Sequence, residues 1–306
     1  MQVTIDTGYY SYHIYLSDLQ QTFMVSFRAF IKEIFYKLKL AKVLDQTLYV
    51  TSWLANRAEN SRFKKENPTL IIPPDYFLYE TYRLNYKQFF NDGEGTAREI
   101  IEWTKSHVEE GDKKILDWGC GVSRIAMHIG KLAGTSSAVY ACDINEKMIS
   151  FNAKSYKDIT YSLISYKPPT KYKNEYFDLI YGLSIFTHIE DTMQEEWICE
   201  MYRILKENGI FLFTTQGRYF DSKLLPLEKQ LLAQQGVFSK TYQQKGHRMM
   251  STYNEPGIFK DLLEKYFEVL EFHAGEVDQS KVGGQDLWIV RKSFPDRQIA
   301  RIQQGV

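Results

Sequence analysis

Residues 114–124 read Lys-Ile-Leu-Asp-Trp-Gly-Cys-Gly-Val-Ser-Arg. An apolar run leads into a Gly-x-Gly pair, and an amphipathic segment follows. Glycine lets the chain turn tightly, and it lets a ligand approach the backbone more closely than a side chain would allow. We therefore predict a strand over Lys114–Trp118, a ligand-binding turn, and a helix from about Arg124 to Leu132.

The next strand supports a ligand at this turn. A strand is predicted over Ala138–Cys142, and Asp143 follows it, 22 residues beyond Gly121. A carboxylate at that place can accept hydrogen bonds from both hydroxyls of a ribose. The two features together predict a nucleoside-containing cofactor.

Two cofactors of this kind fit the pattern, a dinucleotide and S-adenosylmethionine (SAM). A dinucleotide turn needs a third glycine for close packing of the helix on the strand, and Arg124 occupies that position. Asp117 would repel a pyrophosphate, whereas it can attract the cationic end of SAM. We therefore favour SAM, and an NAD-dependent oxidoreductase is the competing hypothesis.

Strand-like and helix-like segments alternate from Pro68 to about Lys292. Alternation of this kind predicts a parallel sheet with helices on both faces and a ligand at the carboxyl ends of its strands. Further strands are predicted at Ile159–Ser165, Phe177–Gly182, Ile210–Thr215, Phe267–Phe272 and Asp286–Val290. Helices are predicted near Asn145, from an N-cap at Asp191 to Leu205 with Gly209 closing it, and over Glu255–Tyr266.

The glycine stretch resembles the first motif of the class I (Rossmann-like) SAM-dependent methyltransferases, Asp-x-Gly-x-Gly-x-Gly, with Ser123 in place of the third glycine. Phe177–Ile180 resembles the family's fourth motif, and residues 203–209 are similar to its Arg-x-Leu-Lys-Pro-Gly-Gly helix end. Ser184–Ile189 and Gln285–Trp288 are similar to a bacterial subgroup whose substrates are mostly unassigned. The resemblance implies a seven-stranded, mostly parallel sheet sandwiched by helices.

The resemblance also implies a cofactor site. It places Asp117, Gly119 and Gly121 at the methionine end of SAM, Asp143 on the ribose and Ile144 against the adenine. The full set that it implies is Asp117, Gly119, Cys120, Gly121, Asp143, Ile144 and Ser184, with Tyr79 and Thr81 in a segment that covers the cofactor. No metal is implied.

His188 follows the fourth predicted strand, at the ligand edge of the sheet. A hydroxyl acceptor benefits from a general base, most often histidine, so His188 is the candidate base, with a structural role as the alternative. We expect transfer of the methyl group of SAM to an oxygen of a small molecule such as a sugar, a natural product or a lipid-linked intermediate. N-methylation and non-catalytic SAM binding are the alternatives.

An insertion over residues 217–254 separates the fifth predicted strand from the next helix. Insertions at the ligand edge of such a sheet commonly form substrate lids. His247 and Arg248 lie within it and are candidate substrate contacts, with solvated loop residues as the alternative.

Composition bears on partners and compartment. Lysine plus arginine and aspartate plus glutamate both number 38. That balance supplies no cationic surplus for nucleic acid, so nucleic acid is not expected as a partner. Three cysteines without metal-ligand spacing indicate a reducing compartment. The start of the chain lacks a signal-peptide pattern, and no apolar run approaches about 18 residues, so we expect a cytoplasmic protein.

Residues 1–67 are predicted as a helical appendage and residues 68–306 as the SAM-binding domain, with the Pro-rich stretch Pro68–Pro74 at the boundary. Apolar residues on helical spacing predict a helix over about Leu16–Asn60. We expect its apolar stripe to pack on the rest of the chain or on a second subunit in a homodimer. Contact with an anionic membrane is the alternative, because the helix carries Arg28, Lys32, Lys37, Lys39 and Lys42.

Overall fold

The computed structural model describes residues 41–134, 136–241, 250–276 and 282–293. Its helices are α1 (Ala41–Glu66), α2 (Asp75–Thr81), α3 (Tyr86–Thr104), α4 (Ala126–Leu132), α5 (Glu146–Ser155), α6 (Asp191–Ile204), α7 (Pro226–Gln235) and α8 (Pro256–Leu263). Its strands are β1 (Lys114–Trp118), β2 (Ala138–Asp143), β3 (Ile159–Leu163), β4 (Phe177–Gly182), β5 (Leu205–Thr215), β6 (Val237–Thr241), β7 (Met250–Asn254), β8 (Glu268–His273) and β9 (Asp286–Arg291).

Seven of these strands form one sheet in the order β3-β2-β1-β4-β5-β9-β8. Strands β3, β2, β1, β4 and β5 pair in parallel, and β9 runs antiparallel to both of its neighbours. The predicted seven-stranded, mostly parallel sheet is therefore confirmed. The strand order reverses between β1 and β4, which opens a crevice at the carboxyl ends of these strands.

The two faces of the sheet are buried by different helices. Along β1, Ile115 belongs to the apolar cluster that includes residues of α3 and α4, whereas Leu116 and Trp118 belong to the cluster that includes residues of α6 and α8. This alternation follows from the two-residue period of a strand. Asp117 lies on the same face of β1 as Ile115, so a carboxylate is carried into the layer between the sheet and α4.

Several element boundaries differ from those that the sequence predicted, and three of them have a clear physical reason. Helix α1 continues past Asn60 to Glu66, because no proline restricts the backbone until Pro68. Helix α6 ends at Ile204 and does not reach Gly209, because the backbone of the next residue, Leu205, already pairs with β4. Glu190, one residue before Asp191, occupies the N-cap of α6.

Helix α1 packs on the rest of the chain through Trp53, Phe63 and neighbouring aromatic residues. Asn60 Nδ2 donates to the carbonyl oxygen of Leu84 at 3.3 Å. Residues 1–40, on which the membrane and homodimer expectations mainly rest, lie outside the described residues. Among the described helices, none is long and apolar enough to cross a membrane.

The insertion over residues 217–254 comprises a 3-10 turn (Arg218–Lys223), α7 and the antiparallel β6–β7 hairpin. Thr252 Oγ1 on β7 donates to the carbonyl oxygen of Ile189 at 2.8 Å, which ties the hairpin to the segment that follows β4. The lid role stays a prediction, and His247 and Arg248 lie outside the described residues.

Candidate functional site

The loop between β1 and α4 requires glycine at two positions. Gly119 and Gly121 have φ angles of 79° and 51°. A Cβ at Gly119 would lie 2.0 Å from Ile185 Cδ1, and one at Gly121 would lie 2.6 Å from Thr81 Cγ2. A side chain at either position would clash with its neighbours, so the loop has only glycine backbone where the sequence predicted a ligand.

Asp143 joins the end of β2 to the same loop. Its Oδ2 accepts from the backbone N–H of Gly121 at 2.9 Å, and its Oδ1 accepts from that of Asn145 at 2.8 Å. Burial raises the pKa of Asp143, and these backbone donors offset part of that effect. Each carboxylate oxygen has a second lone pair, so Asp143 can still accept hydrogen bonds from a ribose.

Asp117 lies beneath the loop and is almost completely buried. Burial raises its pKa to about 7, although Tyr181, Arg124 and the backbone N–H of Ala126 all favour its charged form. Ala126 is the first residue of α4, so Asp117 uses the helix end that a dinucleotide-binding loop offers to pyrophosphate. This arrangement argues against the dinucleotide alternative.

Two cavities, of about 680 and 670 Å³, meet at this loop. Thr81, Gly119, Leu183 and Ser184 line both of them. The residues that line only the first cavity include Gly121, Asp143, Ile144, Ile164, Tyr166 and His188. Those that line only the second include Asp117, Cys120, Arg124, Thr214 and Gln285.

Most residues that the sequence suggested for the site are therefore brought together around these cavities. The exception within the described residues is Tyr79, which lines neither cavity and donates its hydroxyl to the backbone oxygen of Asp45 at 3.2 Å and to its Oδ1 at 3.1 Å. Tyr76 and Phe77, three and two residues before it in α2, line the first cavity instead.

Sequence reasoning missed a ring of hydrogen bonds where the cavities meet. The backbone N–H of Ser184 donates to Thr214 Oγ1 (2.8 Å), which donates to Gln285 Oε1 (2.5 Å), and Gln285 Nε2 donates to Ser184 Oγ (2.7 Å). The ring holds Ser184 at φ 64°, a conformation that non-glycine residues seldom adopt. The Gln285–Trp288 motif was the one signal in the sequence that pointed to this part of the site.

His188 lies in a 3-10 turn after β4 and lines the first cavity. Its Nδ1 is 2.8 Å from the backbone oxygen of Met250 on β7. Because a carbonyl oxygen can only accept, Nδ1 must carry the proton, and in the neutral ring Nε2 then holds the lone pair. The β6–β7 hairpin thus sets the tautomer of His188.

The site fits SAM in three respects. The bare glycine backbone admits a ligand, Asp143 offers oxygens to a ribose, and Asp117 and Cys120 lie in the adjoining cavity. When bound, SAM supplies a methyl group on a sulfonium, which is already a good leaving group.

Residues 115–209 match a protein-family model described as "Methyltransferase domain". The tRNA N(3)-methylcytidine methyltransferase trm140 of Schizosaccharomyces pombe is 24% identical over 178 residues, which are 55% of this chain and 58% of that protein. The ubiquinone biosynthesis O-methyltransferase of Thiobacillus denitrificans is 26% identical over 129 residues, 41% of this chain and 53% of that protein.

The matched region thus spans a little over half the length of these relatives. Among solved structures, a SAM-dependent methyltransferase from Methanosarcina mazei is 18% identical with a TM-score of 0.49. The match covers 63% of this chain and 97% of that chain.

Proposed function

Because this chain belongs to the class I SAM-dependent methyltransferases, we propose that it transfers the methyl group of SAM to a hydroxyl oxygen of a small molecule and releases S-adenosylhomocysteine (SAH). The observation that carries the choice of oxygen is the position of His188. It lines the same cavity as Asp143 and Gly119, and its Nδ1 donates to the backbone oxygen of Met250.

In this proposal His188 is the general base. The hydrogen bond from Nδ1 keeps the lone pair on Nε2, so the ring can take the proton of an acceptor hydroxyl at that atom. The remaining residues orient the cofactor and exclude water. Asp143 would hold the ribose, Ile144 would pack against the adenine, and Asp117, Cys120 and Ser184 would surround the methionine end.

The size of the cavities supports a small acceptor, such as a sugar, a natural product or a lipid-linked intermediate. Together they exceed 1,000 Å³, about the upper end of the range for single ligand sites, so a cofactor leaves room for a second molecule. One relative is named for tRNA, so the expectation that nucleic acid is not a partner stays a prediction. Equal numbers of basic and acidic residues support it.

The test measures transfer of labelled methyl groups from SAM to phenol, sugar and amine acceptors, with tRNA included, and locates the methylated atom by NMR. We expect an O-methylated small molecule. We also expect His188→Asn to lower kcat by about 10²- to 10⁴-fold while leaving the affinity for SAM near that of the wild type.

Two variants make this test specific. His273→Asn changes a histidine that lines neither cavity and should retain full turnover. Asp143→Ala should weaken SAM binding itself. An N-methylated product, methylated tRNA, or full turnover by His188→Asn would each contradict the proposal, and tight SAM binding without turnover on any acceptor would favour a non-catalytic protein.

A further inference from the structure

Helix α2 lines the first cavity but is too short to be stable without contacts to other elements. Tyr76, Phe77, Glu80 and Thr81 of this helix line the cavity that contains Asp143. A helix of seven residues gains little from its own hydrogen bonds, because nucleation is costly and the helix ends before propagation repays it. Its position must therefore come from packing against other elements.

One carboxylate joins α2 to both neighbouring helices. Asp75, the first residue of α2, accepts from Trp53 Nε1 of α1 on Oδ2 at 3.1 Å, and it accepts from the Tyr86 hydroxyl of α3 on Oδ1 at 2.6 Å. Burial and the charge of Asp75 raise the pKa of Tyr86, so its hydroxyl keeps the proton that it donates. The start of α2 is thus fixed from two sides.

The rest of α2 also contacts α1. The Tyr79 hydroxyl donates to Asp45, as described above. The ring of Tyr49 on α1 lies edge-on to Tyr76 and Tyr79, with ring centroids 5.5 and 5.4 Å apart. Such aromatic pairs each add to stability beyond the area that they bury.

Helix α1 itself contributes no lining residue to either cavity. Its contacts with α2 connect it to residues that line the first cavity. We propose that α1 is a brace that holds α2 over the bound cofactor, and that Asp75 is its central positioning residue. The inference rests on SAM or SAH occupying the first cavity, and it is independent of the methyl acceptor.

The test measures SAH binding to the full-length chain by calorimetry and SAH dissociation by stopped flow. Trp53→Phe removes one donor and keeps an aromatic ring, whereas Asp75→Asn leaves one oxygen to accept from two donors. We expect both variants to release SAH about fivefold to tenfold faster, which corresponds to the loss of one hydrogen bond. The double variant should be little worse than Asp75→Asn, because both changes break the same contact.

Tyr140→Phe is the matched control. It removes a hydroxyl that is hydrogen-bonded to Tyr176 at 2.8 Å, in a part of the sheet that lines neither cavity. It should lower the free energy of unfolding without changing SAH release. Amide exchange over residues 75–81 should be faster in the two brace variants than in the control, although the control also lowers overall stability.

The results for the variants and for the wild-type chain distinguish failure of the brace from failure of the proposed function. Wild-type SAH affinity and release in both Trp53→Phe and Asp75→Asn would overturn the brace alone. Failure of the wild-type chain to bind SAH would overturn the cofactor site and the brace together. Faster release in the variants supports the brace whether or not an acceptor is methylated.

Discussion

Ser123 occupies the position where the family's first motif has its third glycine. The backbone conformation at this position explains why glycine is favoured there. Its φ is 62°, in the left-handed region where a Cβ costs about 1 kcal/mol or more. The side chain is completely buried, and its Oγ lies 2.8 Å from the Tyr161 hydroxyl on β3. That hydrogen bond offsets part of the backbone strain.

Changes at Ser123 should separate these two effects. Ser123→Ala loses the hydrogen bond and keeps the strain, so it should lower the free energy of unfolding by about 1 to 2 kcal/mol. Ser123→Gly also loses the bond but removes the strain, and should be more stable than Ser123→Ala by about 1 kcal/mol. Urea unfolding measures both, and an alanine variant at least as stable as the glycine variant would contradict this account.

At the scale of elements, α3 packs closely against the end of the glycine loop (Gly119–Gly121) through one small residue. A Cβ at Gly93 would lie 2.3 Å from the backbone oxygen of Arg124, just after the loop. The side chain of Arg124 lies with its guanidinium carbon 4.3 Å from the centre of the Tyr82 ring. The close approach of α3 therefore helps to set the position of the glycine loop.

Two glycines of α3 provide a matched pair. Gly93→Ala should lower the free energy of unfolding by about 1 to 3 kcal/mol and weaken SAH binding, because the loop must shift. A Cβ at Gly95 meets nothing within 4 Å, so Gly95→Ala should raise stability by about 0.5 to 1 kcal/mol through helix propensity. Thermal unfolding and calorimetry measure both, and equal stability in the two variants would refute the packing argument.

At the scale of the whole molecule, the ligand edge of the sheet concentrates buried carboxylates. Burial raises the pKa of Asp117 to about 7, that of Asp286 to about 6, and that of Asp143 above its usual value. Asp286 Oδ2 has no hydrogen-bond partner among the described residues, and its Oδ1 accepts from the backbone N–H of Gly275 at 2.9 Å. This edge is therefore less stable when its carboxylates are charged.

Asp286→Asn tests this conclusion through pH. The folded state holds the proton of Asp286 up to about pH 6, whereas the unfolded chain loses it near pH 3.8, so the contribution of Asp286 to stability falls as pH rises across that interval. At pH 7.5 the variant should be more stable than the wild type by about 1 to 3 kcal/mol. At pH 4.5 this advantage should shrink.

Denaturant unfolding at both pH values measures the effect. Asp112→Asn, which changes an exposed carboxylate in the loop before β1, is the control and should leave the wild-type pH profile intact. An advantage of Asp286→Asn that does not depend on pH would contradict the linkage.

By itself, the sequence determined the sheet and the glycine loop at its ligand edge. The strand over Lys114–Trp118, the bare glycines and Asp143 could be predicted because each follows from local sterics and short spacing. These constraints act within one βαβ unit, so they leave a readable pattern in a single stretch of chain.

The tertiary structure decided the surroundings of that site. The ring of Ser184, Thr214 and Gln285 joins residues up to 101 positions apart, and the hydrogen bond from Trp53 to Asp75 spans 22 positions between two helices. Such contacts leave no periodic pattern in the sequence, because they arise only when separate elements pack together. For the same physical reason, the sequence did not show that Tyr79, which was expected to cover the cofactor, contacts Asp45 of α1.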